Sequence, residues 1–228
     1  AWVLETFREV SALPEFDIRA LNFSTYGASF VHLDKNNKPV TPLYNYLKPF
    51  PEKLKKKFYD TYGGEVTFSM FTASPVLGSL NSGMQLYRLK HERPELFKAI
   101  HVSLHLPQYF SNLFTHQACS DITSVGCHTN LWNFPSSQYH RWVKEEGIFE
   151  KLAPIRPSDS AIPVVVEGKK IVVGTGLHDS SAATIPYLES FQEPFVLLST
   201  GTWCISLNPF NDEALTTDEL KADCLCFL

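Results

Sequence analysis

Apolar positions along the chain follow two periods. Trp2, Val3, Leu4, Phe7 and Val10 recur close to the helical period and predict a helix over residues 1–12. Ile18 to Phe23 alternates as a strand does, Gly27 breaks the pattern, and Phe30 to Leu33 resumes it. Asn36, Asn37 and Pro39 mark turns. Residues 50–62 read as a basic surface helix ending at Gly63-Gly64. Leu80, Met84 and Tyr87 share one helical face, Pro94 starts a new helix, and Pro107 opens another through Tyr109, Phe110, Leu113 and Phe114. Ser136-Ser137 is expected to cap a helix carrying Tyr139, Trp142 and Val143, with Gly147 after its last turn. These aromatic stripes are read as core.

From Ile162 the pattern turns to strands. Pro163–Glu167 and Ile171–Val173 flank Gly168-Lys169-Lys170 as a β-hairpin. A glycine-flanked turn, Gly174 to Asp179, leads into a short helix over 180–185. Phe195 to Leu198 predicts a buried strand, Ser199 to Thr202 a tight polar turn, and Trp203 to Leu207 a further strand. Helices mixed with strands give an α/β class.

Composition narrows the function classes. The 228 residues suffice for one well-cored domain, or for one domain and a piece of another. With 44% hydrophobic and 19% charged residues the chain reads as globular. The formal net charge is −4, and the Lys-Leu-Lys-Lys-Lys run at 53–57 is read as a solvated helix face, so no nucleic-acid partner is expected. No apolar run approaches the roughly 18 residues of a membrane helix, and no membrane partner is expected. Five unevenly spaced cysteines fit a reduced, cytoplasmic setting without a metal site. The opening residues read like mid-helix and the closing ones like a strand, so a fragment of a longer protein is expected.

Two segments are candidates for chemistry. Gly174-Thr175-Gly176-Leu177-His178-Asp179 stands between a strand and a helix, where glycines let the backbone turn tightly. Asp179 either caps the helix or takes a proton from a substrate hydroxyl. His178 is either a bonded core histidine or a substrate contact. Ser199-Thr200-Gly201-Thr202 is either an ordinary turn or a cradle of N–H groups and hydroxyls for phosphate. Ser24 to Phe30 and Asn81 to Leu86 stand out less: a turn between strands and a helix start. A Walker-type P-loop, a Gly-x-Ser-x-Gly elbow and a His-Glu-x-x-His motif do not occur in the sequence.

In order, these segments resemble the FGGY-family carbohydrate kinases, and most closely their rhamnulokinase branch. The family's Asp-Thr-Trp-Gly-Val-Asp-Phe is similar to Ser24-Thr25-Tyr26-Gly27-Ala28-Ser29-Phe30, and its Asn-Thr-x-Tyr-Gln-Leu to Asn81–Leu86. Its Pro-Asp-Tyr-Leu resembles Pro107–Phe110, and its Thr-Asn-Ala-Ser-Thr-Thr-Gln-Leu resembles Thr123–Leu131. Its His-Asp-Thr-Ala-Ser-Ala matches His178–Ala183, and its Ser-Ser-Gly-Thr-Trp-Ser matches Ser199–Cys204. The last two motifs are the specific ones.

The resemblance implies an actin-like ATPase, ribonuclease-H-like fold. Residues 1–190 would be most of the sugar-binding first domain and 191–228 the start of the ATP-binding second. It implies ATP and Mg²⁺ as cofactors, a small sugar as substrate, and Asp179 as general base. His178, Thr25, Tyr26, Ala28 and Asn81 would lie by the sugar, and Ser199, Thr200, Gly201 and Thr202 by the ATP phosphates. A ketose or deoxyketose such as rhamnulose, fuculose or xylulose is the expected acceptor. The alternatives are an inactive sugar-binding relative and a glycerol-type polyol kinase, and a homodimer of the full-length protein is left open. Ser24 and Ser29 stand where the family pattern has Asp, and Asn45 and Tyr46 where it has Arg and Asp, which changes the sugar hydroxyls that can be paired. The family's N-terminal phosphate loop and its adenosine site are not found in the 228 residues and are expected outside them.

Overall fold

The computed structural model describes residues 2–200 and 204–226. The chain opens with α1 (Trp2–Ser11), whose Phe7 meets Phe114 edge to face at 5.3 Å. The alternating stretch that follows is split into β1 (Ala20–Leu21) and β2 (Ser24–Thr25), and β3 (Phe30–Leu33) is wholly buried. Next comes α2 (Glu52–Thr61), stopped by two residues with positive φ, Gly63 and Gly64. Its lysines lie outward or half-covered, paired as Lys55–Glu52 and Lys56–Asp60, while Phe58 and Tyr59 face the core. A helix the apolar pattern does not mark, α3 (Glu65–Thr72), precedes α4 (Ser82–Glu92) and α5 (Pro94–Ala99). Then β4 (Val102–His105) runs straight into α6 (Leu106–Thr115), with Pro107 in its first turn, where no N–H is missed.

The middle of the chain is built from short pieces: β5 (Ser120–Asp121), α7 (Ile122–Val125), β6 (Trp132–Asn133), β7 (Gln138–Tyr139), α8 (Arg141–Glu145) and β8 (Ile155–Arg156). The helix expected after Ser136-Ser137 is corrected here. Tyr139 pairs with Trp132 in a small hairpin, and α8 starts two residues later, with the His140 side chain accepting from Trp142 N. Cross-strand ring packing at 5.6 Å outweighs the serine cap.

The remaining elements are β9 (Ala161–Val166), β10 (Lys169–Gly174), β11 (Leu177–His178), α9 (Asp179–Ser190), β12 (Leu197–Thr200), β13 (Cys204–Leu207) and α10 (Thr217–Lys221). The β9–β10 turn is Glu167-Gly168 alone, both at positive φ, and Lys169 and Lys170 belong to the strand. The strand expected to be buried at 195–198 is exposed, with Leu198 67% accessible.

β10 is the centre of a three-stranded sheet, parallel to β1 and antiparallel to β9. β3 pairs antiparallel with β4, so Phe30, His32, Ser103 and His105 share one face, while Val31, Leu33, Val102 and Leu104 pack together on the other. The largest core cluster gathers around Phe58. The rings of Tyr59, Tyr62, Phe68, Tyr87 and Trp142 all lie within 5.1 Å of it, mostly edge to face. The Trp142 indole N–H is satisfied by Asn130 O at 2.7 Å. α10 returns to pack on α3, where the Thr217 hydroxyl lies 2.9 Å from Met70 Sδ. Among the described residues no helix is long and apolar enough to cross a membrane.

Candidate active site

The site stands at the carboxyl ends of two parallel strands. β1 and β2 run beside β10 and β11, with Ala20 opposite Val172 and Ser24 opposite Leu177. The partner offset grows by one residue between these pairs, so the second strand carries a one-residue bulge at Gly174-Thr175-Gly176. Sterics explain the two glycines. A Cβ on Gly174 would lie 2.5 Å from the Asn22 side chain, and one on Gly176, at φ +86°, would lie 2.6 Å from the Pro107 backbone. The bulge's backbone groups find partners: Gln108 donates to Gly176 O, Ser111 to Gly174 O, and Gly176 N donates to Asn22 Oδ1.

Beyond the bulge the chain delivers His178 and Asp179. His178 precedes α9 as its cap residue and makes no side-chain capping bond, and Asp179 is the first helical residue. The Asp179 carboxylate is 53% exposed, and its Oδ1 accepts from Ser180 N at 2.7 Å. A carboxylate in the first turn of a helix meets the positive end of the helix dipole. It is not buried, and one of its oxygens, Oδ1, is engaged by a first-turn N–H of α9.

His178 is buried against the fold. A Cβ on Gly27 would lie 2.9 Å from its ring, so only glycine fits there. Its Nε2 is 3.3 Å from Asp179 Oδ1 and 3.3 Å from Cys127 Sγ. Its backbone N–H donates to Thr123 Oγ1, and Thr123 in turn donates to Asp121, which Ser158 also holds at 2.7 Å. Burial lowers the proton affinity of His178, with Asp179 and Asp121 acting in the opposite sense. Cys127, Thr123 and Asp121 escaped the sequence reading as neighbours of Asp179. The signal was the Thr123–Leu131 segment that the resemblance marks, which contains Thr123 and Cys127 but does not say that they meet His178.

The remaining expected residues fall in two places. Thr25 pairs with His178 across the strands, and its hydroxyl donates to Tyr26 O. Tyr26 is exposed and its ring lies 5.6 Å from that of Tyr46. The two belong to an open pocket of about 390 Å³, lined also by Leu43, Tyr44, Asn45 and Leu47. Ala28 is buried and its carbonyl accepts from Gln85. Ser29 is buried, its hydroxyl donating to Tyr44 O. Asn81 is fully buried: its Oδ1 accepts from Leu77 N and its Nδ2 donates to His128 O, so it reaches the site only through the His128 loop. Ser199 and Thr200 are exposed on β12, opposite Ile205 and Cys204. Gly201 and Thr202 lie outside the described residues.

For a nucleotide, the described residues offer the hydroxyls of Ser199 and Thr200. For Mg²⁺, which favours carboxylate oxygen, no cluster of three metal-ligating side chains forms among the described residues. No step below is assigned to a metal.

No family model matches the chain. A curated relative, the rhamnulokinase of Halalkalibacterium halodurans, is 25% identical over 200 residues, which is 82% of this chain and 41% of that protein. The crystal structure of a carbohydrate kinase from Novosphingobium aromaticivorans superposes with a TM-score of 0.77 at 24% identity, over 91% of this chain and 46% of that one. A xylulose kinase from Rhodospirillum rubrum gives 0.70 at 14% identity, over 86% and 42%. The chain thus spans less than half the length of these relatives. It is similar in sequence to a rhamnulokinase and shares the actin-like α/β fold of these carbohydrate kinases over the part it spans.

Proposed function

We propose that the full-length protein transfers the γ-phosphoryl group of ATP to a hydroxyl of a ketose or deoxyketose, with Asp179 as general base. The observation that carries this reading is an exposed carboxylate at the carboxyl end of the parallel β2–β11 pair, held from behind through Oδ1. Ligands in α/β sheets favour that edge. Oδ2 makes none of the bonds described above, which leaves one oxygen for a sugar hydroxyl proton. Thr25 and Tyr26 end the neighbouring strand, so a sugar beside Asp179 would meet them and the Tyr26–Tyr46 pocket. Catalysis of such a transfer rests on positioning and charge stabilisation more than on covalent chemistry. ATP would supply the phosphoryl group with Mg²⁺ offsetting its charge, and Ser199 to Thr202 would lie along its phosphates. The domain boundary would fall near residue 190.

The residues around the sugar depart from the rhamnulokinase pattern in one respect. Ser29 spends its hydroxyl on Tyr44 O inside the fold, and Ser24, Asn45 and Tyr46 carry no charge, so no ionised group from these positions grips the sugar. These neutral positions also motivate a second reading, a sugar-binding relative without turnover.

A panel of ketoses, deoxyketoses and glycerol with ATP separates these readings. The expected result is phosphorylation of at least one ketose, with Asp179→Asn lowering kcat by a factor of about 100 or more, the range of general-base loss. Sugar binding by calorimetry without turnover would favour the second reading, and Asp179→Asn equal to wild type would remove Asp179 from the mechanism.

A further inference from the structure

We infer that Cys127 is a positioning residue, its single thiol proton directed at His128 so that His178 turns an N–H, not a lone pair, toward Asp179. Three polar atoms converge on this thiol's surroundings. Cys127 Sγ lies 3.1 Å from His128 Nδ1 and 3.3 Å from His178 Nε2, and that same Nε2 lies 3.3 Å from Asp179 Oδ1. His105 and Asp121 are the other titratable groups close enough to act on these rings.

Proton counting supports the arrangement. Burial pushes the Cys127 thiol well above its usual range, so it keeps its proton. Burial brings His128 down to about 4 and lowers His178, so at neutral pH each ring carries one proton. A bare His178 Nε2 would set a lone pair against a carboxylate oxygen, which is repulsive, so the proton sits on Nε2. The thiol then receives from His178 Nε2–H and cannot also donate to it. Its own proton goes to His128 Nδ1, which is bare. Asn81 fixes the loop by donating to the His128 carbonyl.

The arrangement gives Cys127 a function through its neighbours. As an acceptor it backs the protonated Nε2 of His178, whose N–H holds Asp179 at Oδ1 and leaves Oδ2 to the substrate. That last step rests on Asp179 being the base, and the tautomers do not.

The test uses the full-length protein with ¹⁵N-labelled histidine, signals being assigned through His178→Gln and His128→Gln. The expected spectrum shows a protonated Nε2 at His178 and a bare Nδ1 at His128. Cys127→Ala should perturb both rings and lower kcat about tenfold, with KM for the sugar little changed. Cys127→Ser, which keeps one donor and one acceptor, should restore both the ring signals and most of kcat. A protonated Nδ1 at His128 or a bare Nε2 at His178 in the wild type would overturn the inference, as would ring signals and kcat in Cys127→Ala equal to wild type. If the full-length protein phosphorylates no sugar, the kinase reading falls while the ¹⁵N spectra still decide the tautomers.

Discussion

Residues 30–152 and residues 191–226 are built from similar side chains with opposite outcomes. In the first region Phe58, Phe68, Tyr87 and Trp142 vanish into one cluster, drawn from α2, α3, α4 and α8. In the second, Phe191, Val196, Leu198 and Phe210 remain at least half exposed, and their rings meet along the surface as Phe191–Phe195 and Phe195–Phe210 pairs. Burial is a property of what neighbouring elements supply, not of the residue's own hydrophobicity. Four helices brought together from across some 90 residues close around Phe58, whereas among the described residues the β12 and β13 strands pair only with each other.

Acid should expose this contrast most sharply. Burial lowers His32 and His105 to about 3, and His128 and His140 to about 4, all within residues 30–152. The unfolded chain would bind these protons near pH 6.5 and the folded one only near 3–4. Their contribution is therefore complete above about pH 6.5 and is lost as pH falls toward the folded values. His32 and His105 each remove about 1.4 kcal/mol per pH unit in that window. The midpoint of urea denaturation measured from pH 7 to pH 4.5 should fall steeply, and a flat profile would contradict the burial of these rings. Phe58→Ala should cost about 3–5 kcal/mol in the same assay, since it empties the centre of the ring cluster. Leu198→Ala should change stability by no more than about 0.5 kcal/mol. A loss of 2 kcal/mol or more there would mean that β12 is packed after all.

Much of the fold is legible from local pattern. The β3 strand, the lysine-faced α2 and the β9–β10 hairpin follow their apolar periods and their glycines. α3 is not marked, because Val66, Thr67, Phe68 and Phe71 are poor helix formers and its burial against Tyr59 decides the matter. The 195–198 strand is correctly apolar, but no local rule tells which surface another element will cover. At the site, the His178-Asp179 pair is readable because the glycines beside it have a steric reason. Cys127 is not, since its approach to His178 spans 51 residues and depends on α7 packing beside β11.

The one-residue bulge before Leu177 acts as a vernier. The count of residues between Gly174 and Gly176 decides which side chain ends β11 in the buried place beside Gly27 and which opens α9 toward water. A chain one residue shorter there would keep every functional group and move each back by one place. Asp179 would be shut against Gly27 and His178 would fall into the buried place of Leu177, leaving no acid at the open end, so the spacing is as much a part of the chemistry as the side chains it sets in place.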